Sequence, residues 1–177
     1  MSWAPGQKPA DTDSMIRVNQ AGEYGAARIY AGQLAVLAKG SPAAHEVSRM
    51  AMQEQRHLER FNALMAERKV RPTLIQPLWD VAGFALGAAT ALLGEKAAMA
   101  CTDAIETEID KHYGEQLARL GESDPQLAAD IAEFRAEELE HRETARAHGS
   151  AEAPGYALLT GVIRAGCRAA IEISKRI

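Results

Sequence analysis

Apolar positions recur every three or four residues along most of the chain, and runs that alternate in the manner of a strand are almost absent. Glycine and proline cut this helical pattern into pieces. Asp13 or Ser14 can cap a first helix that runs to about Lys39, where Gly40-Ser41-Pro42 stops it. A second helix is predicted from Pro42 to Arg68, with proline in the first turn. Pro72 and Pro77 bracket a break. A third, apolar helix covers Leu78 to Leu93, and Gly94 separates it from a fourth that reaches Leu120. Asp124 caps a fifth, with Pro125 at its first position, ending near His148-Gly149. A sixth runs from Pro154 to the C-terminus. The prediction is an all-α chain.

Acids interrupt the apolar stripes of four of these helices. Glu23 lies among Ile16, Ala27, Tyr30, Leu34 and Leu37, and Glu54 among Val47, Met50, Phe61 and Leu64. Glu106 follows Met99 and precedes Ile109, Tyr113 and Leu117, while Glu138 follows Ile131 and Phe134. Each carboxylate therefore sits on a core-facing stripe and not on a solvated face. Glu54 and His57 form Glu-x-x-His on the second helix, and Glu138 and His141 repeat it on the fifth. At that spacing both side chains leave one helical face and can grip one ion. A single Glu-x-x-His in a glutamate-rich chain occurs by chance, and solvated helix acids are common.

Registration with the turns is more specific. Glu23 precedes Glu54 by 31 residues and Glu106 precedes Glu138 by 32, with a glycine-containing turn near the middle of each interval. At about 1.5 Å rise per residue, each helical hairpin climbs from its lone glutamate, turns, and descends to nearly the same height. The two halves form a pseudo-repeat offset by 83 to 84 residues. Four buried carboxylates are untenable without cations, and two ferrous ions would balance them. A lone Glu from each of two helices plus Glu-x-x-His from each of two others is the ligand set of ferritin-like di-iron or di-manganese bundles. The expected ligands are Glu23, Glu54, His57, Glu106, Glu138 and His141. The expected fold is a ferritin-like four-helix bundle with a long crossover helix and an extra C-terminal helix.

Composition narrows the class further. The 177 residues are 47% hydrophobic and 25% charged, enough for one domain with a real core. A net charge of −4 argues against a nucleic-acid binder. Cys101 and Cys167 form no CxxC pair, which excludes a zinc ribbon or a rubredoxin-type site and suits a reducing compartment. Residues 1–13 read as a disordered lead-in without an apolar or Arg-rich targeting run, and 14–177 as a single ferritin-like domain. That fits a bacterial cytoplasmic protein or a processed mature form. The longest uncharged run, Val81 to Gly94, has 14 residues, too few to span a bilayer.

The crossover helix, with Leu78, Trp79, Val81, Phe84, Leu86, Leu92 and Leu93, leaves almost no polar face. It is either a packed crossover or a surface for lipid or a greasy substrate. The last helix supports the lipid reading, with Tyr156, Leu158, Leu159, Val162 and Ile163 facing one way and Arg164, Arg168, Lys175 and Arg176 available at the interface. Tyr113 is most simply a core aromatic, though close enough to Glu106 to be redox-active. His45 and His148 read as ordinary surface residues.

Several segments resemble the demethoxyubiquinone hydroxylases. They are Asn19-Gln20-Ala21-Gly22-Glu23-Tyr24-Gly25-Ala26, Glu54-Gln55-Arg56-His57, Thr90 to Gly94 running into Met99-Ala100-Cys101-Thr102, Lys111-His112-Tyr113, Glu137-Glu138-Leu139-Glu140-His141, and Ala165-Gly166-Cys167-Arg168. The resemblance covers Ser14 to Ile177. It implies hydroxylation of the quinone ring of a demethoxy precursor in ubiquinone biosynthesis, with dioxygen as cosubstrate and a di-iron centre as cofactor. Glu23, Glu54 and His57 would serve one iron and Glu106, Glu138 and His141 the other, with Glu54 and Glu138 bridging. His112 and Tyr113 match residues thought to relay electrons and protons from the quinol or NADH. The resemblance also implies a lipid quinol substrate, partners among ubiquinone-biosynthesis proteins, and peripheral association with the cytoplasmic face of the bacterial inner membrane or the matrix side of the mitochondrial one. A ferritin-like iron store or ferroxidase on the same scaffold is the alternative.

Overall fold

The computed structural model describes residues 11–176. Six α-helices account for nearly all of them: α1 (Thr12–Val36), α2 (Pro42–Arg68), α3 (Gln76–Leu92), α4 (Glu95–Leu120), α5 (Pro125–Ala147) and α6 (Tyr156–Ser174), with one 3₁₀ turn at Ser150–Glu152. No strand occurs among the described residues. The helix starts follow local chemistry. Ser41 caps α2 by accepting from the Ala44 amide, and Asp124 caps α5 by accepting from Leu127, each just before a first-turn proline. The α1 start differs from the expectation. Asp11, not Asp13 or Ser14, accepts from the Ser14 amide at 3.0 Å, so Thr12 and Asp13 are helical. Residues 1–10 of the expected lead-in lie outside the described residues. Helix α1 also stops at Val36, before Lys39, and α3 begins at Gln76 with Pro77 inside its first turn.

Helices α1 and α2 pack as one hairpin and α4 and α5 as another, while α3 lies along α1 and α6 along α4. This is a ferritin-like bundle with a crossover helix and a C-terminal addition. One apolar cluster includes Phe61, Leu64, Leu127, Ile131 and Phe134; a second includes Tyr30, Val47, Met50 and Met99. The carboxylates of the four bundle helices lie between them.

Helices α1 and α3 approach to backbone contact. A Cβ added at Gly87 would fall 1.9 Å from the Ile29 carbonyl oxygen, and one at Gly32 would fall 2.1 Å from that of Phe84. Neither neighbour is a flexible side chain, so a methyl group must push the helices apart. Gly87→Ala should cost about 3 kcal/mol, at the upper end for overpacking, and lower the melting temperature by roughly 6–12 °C. A calorimetric scan matching the parent would show that the close crossing does not exist in solution.

Candidate metal centre

Helical spacing places one or two polar side chains from each of four helices on the bundle axis. Glu23 and Glu106 come from α1 and α4; Glu54 with His57, and Glu138 with His141, come from α2 and α5. All six are buried. They form two overlapping sets, Glu23–Glu54–His57–Glu138 and Glu54–Glu106–Glu138–His141, and within each set one ligand atom per residue lies within 4.8 Å of the others. Glu54 and Glu138 belong to both.

Several of these atoms have no protein partner. Glu23 Oε2, both oxygens of Glu54, Glu106 Oε2, Glu138 Oε1 and His57 Nδ1 are buried without a hydrogen bond. Orphaned buried acceptors of this kind are costly, and their convergence fits a pair of hard or borderline cations. Both histidines turn Nδ1 inward. His57 Nδ1 lies 3.1 Å from Glu138 and 3.4 Å from Glu23, and His141 Nδ1 lies 3.0 Å from Glu138 and 3.2 Å from Glu54. Phe134 stacks on His57 at 4.1 Å, while Tyr30 meets His141 edge-on at 6.4 Å.

Protons take the place of cations in the metal-free cluster. Burial, followed by repulsion from neighbouring carboxylates, pushes Glu54 and Glu106 well above the carboxylate range. Burial likewise raises Glu138. Burial disfavours the charge on Glu23 too, but the neighbouring His57 outweighs it and holds its pKa low. Burial opposes the His57 charge, yet Glu138 and Glu23 overcome that and carry its pKa to about 11. His141 is held neutral by burial. Charge is thus favoured on Glu23 and His57, and burial favours the neutral forms of Glu54, Glu106 and Glu138.

The next layer contains Tyr113, a relay candidate by resemblance, together with Tyr30, Glu137 and Gln53, to which the sequence pattern gives no role. Tyr30 donates to Glu106 at 2.8 Å, and Tyr113 donates to Glu23. The two tyrosines are 83 residues apart, as are the two glutamates, so each lone Glu is held by the tyrosine two turns beyond the other. The outer nitrogens of the histidines meet Glu137 and Gln53. Glu137 opens one of the segments that carry the resemblance, and the signal for Gln53 is its place immediately before Glu54.

Glu23 also borders an apolar cavity of about 360 Å³ between α1, α3, α4 and α6. Ile29, Leu86, Ile105, Ile109, Ile163 and Ile171 supply much of its greasy wall, and Asn19, Glu23, His112 and Tyr113 supply polar groups. Asn19 and Gln116 bond reciprocally at 2.8 Å, and Gln116 also donates to His112 Nε2. His112 must therefore accept there and carry its proton on Nδ1. Burial, reinforced by Lys175, lowers its pKa to about 4, so it is neutral. Tyr113 is raised well above its usual value, by burial first and Glu23 second. Neither His45 nor His148 belongs to the carboxylate cluster.

The apolar residues of α3 divide between two environments. Trp79 and Leu86 line the cavity, while Leu78, Val81, Leu92 and Leu93 are exposed. On α6, Leu158 and Val162 are exposed and Ile163 is buried. Arg168 and Lys175 are less available than expected, being paired with Glu108 and Glu172. Among the described residues no helix is long and apolar enough to cross a membrane.

A helical bundle that turns a lone Glu and a Glu-x-x-His inward from each of two hairpins defines the ferritin-like class of dinuclear carboxylate proteins. Within that class, the chain belongs to the family described as ubiquinone biosynthesis protein COQ7, whose profile matches residues 10–174. It is 55% identical to the 3-demethoxyubiquinol 3-hydroxylase of Rhodospirillum rubrum over 93% of this chain and 78% of that protein. It is 53% identical to the mitochondrial NADPH-dependent 3-demethoxyubiquinone 3-hydroxylase of Mus musculus, over 94% and 78%. Against the mitochondrial 5-demethoxyubiquinone hydroxylase of Saccharomyces cerevisiae it is 44% identical, over 93% and 78%.

Proposed function

We propose that this chain is a di-iron monooxygenase that hydroxylates the ring of a demethoxyubiquinol in ubiquinone biosynthesis. One ferritin-like domain over residues 14–177 would carry the activity. The observation that bears most weight is Glu23, which belongs both to the buried carboxylate cluster and to the wall of the apolar cavity. A substrate ring in that cavity would lie beside the metal ligands, with its isoprenoid tail against the greasy wall. Family membership and the names of the relatives favour this reading over an iron store or ferroxidase.

Glu23, Glu54 and His57 would hold one iron, and Glu106, Glu138 and His141 the other, with Glu54 and Glu138 bridging. Iron held there would supply the redox chemistry of dioxygen reduction, with one oxygen atom going to the ring, the other to water, and two electrons coming from a reduced nicotinamide. NADH is the donor implied by the sequence resemblance, and the mouse relative is named for NADPH. The protein's own groups do the rest. Tyr113 and Tyr30 fix the lone glutamates, and the apolar wall excludes water from the reacting ring. His112, neutral at the wall, and Tyr113, bonded to Glu23, are placed to pass protons and electrons between cavity and cluster.

The test is anaerobic loading with ferrous iron, then ¹⁸O₂ and a demethoxyquinol analogue. The expected product is a ring hydroxyl bearing the label. Iron oxidation with no hydroxylated product would favour the ferroxidase instead.

The exposed apolar residues of α3 and α6, which flank the cavity, support peripheral membrane association, because a polyprenyl quinol hardly leaves the bilayer. The surface would be the cytoplasmic face of the bacterial inner membrane, or the matrix side in a mitochondrial form, where partners from the same biosynthesis could meet it. Leu78→Glu with Leu158→Glu should weaken vesicle flotation and turnover of a long-tailed quinol, while sparing iron loading and turnover of a short-tailed analogue. Equal loss on both substrates would mean that these side chains serve the fold and not the lipid.

A further inference from the structure

The pseudo-two-fold relation between the hairpins holds for all six proposed ligands and for both tyrosines, at offsets of 83 or 84 residues. Among the side chains hydrogen-bonded to the proposed ligands, it breaks at one pair. Position 53 is Gln where its counterpart, position 137, is Glu. Each reaches across to the histidine of the opposite hairpin: Glu137 Oε2 lies 2.9 Å from His57 Nε2, and Gln53 Oε1 lies 3.0 Å from His141 Nε2.

The two contacts differ in kind. Glu137 offers His57 a carboxylate, itself held by Arg56 at 2.8 Å. Gln53 offers His141 a neutral amide oxygen, which it shares with Arg49 at 2.9 Å. The amide's orientation is set by its surroundings, since its nitrogen points to Glu137 at 3.4 Å. With a cation in place of the inward proton, both histidines would keep Nε2–H outward and turn the Nδ1 lone pair toward the carboxylates. A carboxylate that accepts from Nε2–H makes Nδ1 a stronger donor to a cation than a shared neutral oxygen does.

We propose that Glu137 is a positioning residue that makes the two metal positions unequal, so that the position at His57 fills first and more tightly than the position at His141. The inference rests on the metal-binding reading above. It adds an order of filling that the symmetry of the six ligands alone would not produce. Ion-binding partners of this type contribute about 10- to 100-fold in affinity, so the two steps should be resolvable.

The experiment is an anaerobic Co(II) titration of the full chain, followed by calorimetry and by the d–d absorption of the bound ion. The parent should show two steps at least about tenfold apart. His141→Ala should keep the tight step, and His57→Ala only the weak one. Glu137→Gln, equal in size and still able to accept from Nε2–H, should weaken the tight step about tenfold or more and shift its absorption band. The second step should stay nearly unchanged, and the metal-free protein, having lost the carboxylate beside His57 and Arg56, should melt somewhat lower but still in one cooperative transition. Arg56→Gln leaves the Glu137–His57 bond in place and should preserve the order of filling, which supplies a second check if Glu137→Gln folds poorly.

Two equal steps in the parent would overturn the proposal, as would a tight step that survives in His57→Ala, or equal weakening of both steps by Glu137→Gln. Each of those leaves the two-metal reading standing. A parent chain that binds no Co(II) overturns that reading itself, and this inference with it.

Discussion

Replacing Glu138 by glutamine should empty both metal positions, whereas replacing Glu23 by glutamine should empty one of the two. The reason is geometric. One oxygen of Glu138 lies 3.1 Å from His57 Nδ1 and the other 3.0 Å from His141 Nδ1. Glu54 is shared in the same way, at 3.2 Å from His141 Nδ1 and 4.0 Å from His57 Nδ1. A carboxylate with one oxygen toward each ion neutralises both, and its loss leaves two cations facing each other with less charge between them. Glu23 and Glu106 each belong to one set only and are anchored by Tyr113 and Tyr30. Glutamine keeps the volume of the side chain, so the bundle should still form. Iron per chain after anaerobic loading is the measurement, with Glu54→Gln expected to follow Glu138→Gln and Glu106→Gln to follow Glu23→Gln. Equal losses in all four would remove the bridging assignment.

The metal-free protein should lose stability as pH rises from 6.5 to 8.5, and the ion-loaded protein should change little. In the folded, metal-free chain Glu54, Glu106 and Glu138 have raised pKa values, and His57 is raised to about 11 from 6.5. On unfolding they return to ordinary values. The native state therefore holds more protons than the unfolded state over this range, and stability falls as pH rises, by ~1.4 kcal/mol per pH unit for each such proton. At low pH this contribution is fully present, and it disappears as each group is titrated through its raised value. Groups with lowered values act in the opposite direction, but only at lower pH: Glu23 below its ordinary 4.5, and His141 and His112 below 6.5. Bound ions replace the protons and remove the dependence. Melting temperatures with and without chelator, taken across this range, should diverge as pH rises. A constant gap would mean that the carboxylates do not share a buried site.

Much of the architecture was legible because it rests on local chemistry. Ser41 with Pro42 and Asp124 with Pro125 mark the starts of α2 and α5 because capping and the tolerance of proline in a first turn act within four residues. The cap of α1 lies two or three residues before the expected Asp13 or Ser14, because Asp11, Asp13 and Ser14 all have the right chemistry and backbone geometry chose among them. Helix α3 shows another limit. A run that is apolar all round has no periodic contrast, so its pattern could not show that Leu86 faces the cavity while Leu78 and Val81 face outward.

The six inward side chains could be read from the sequence because the helical period assigns each to a face, and the rise per residue, counted across a turn, assigns each to a height. Those two numbers belong to the chain itself. The partners of these residues do not. Tyr113 meets Glu23 across 90 residues, Tyr30 meets Glu106 across 76, Glu137 meets His57 across 80, and Gln53 meets His141 across 88. Each pair joins opposite hairpins, and its contact depends on how the helices are rotated and spaced against one another. That arrangement is set by packing, such as the glycine contact of α1 with α3 and the stacking of Phe134 on His57. The sequence by itself determined which residues carry the chemistry; the tertiary structure decided what holds each of them, and so where the two halves of the site cease to be equivalent.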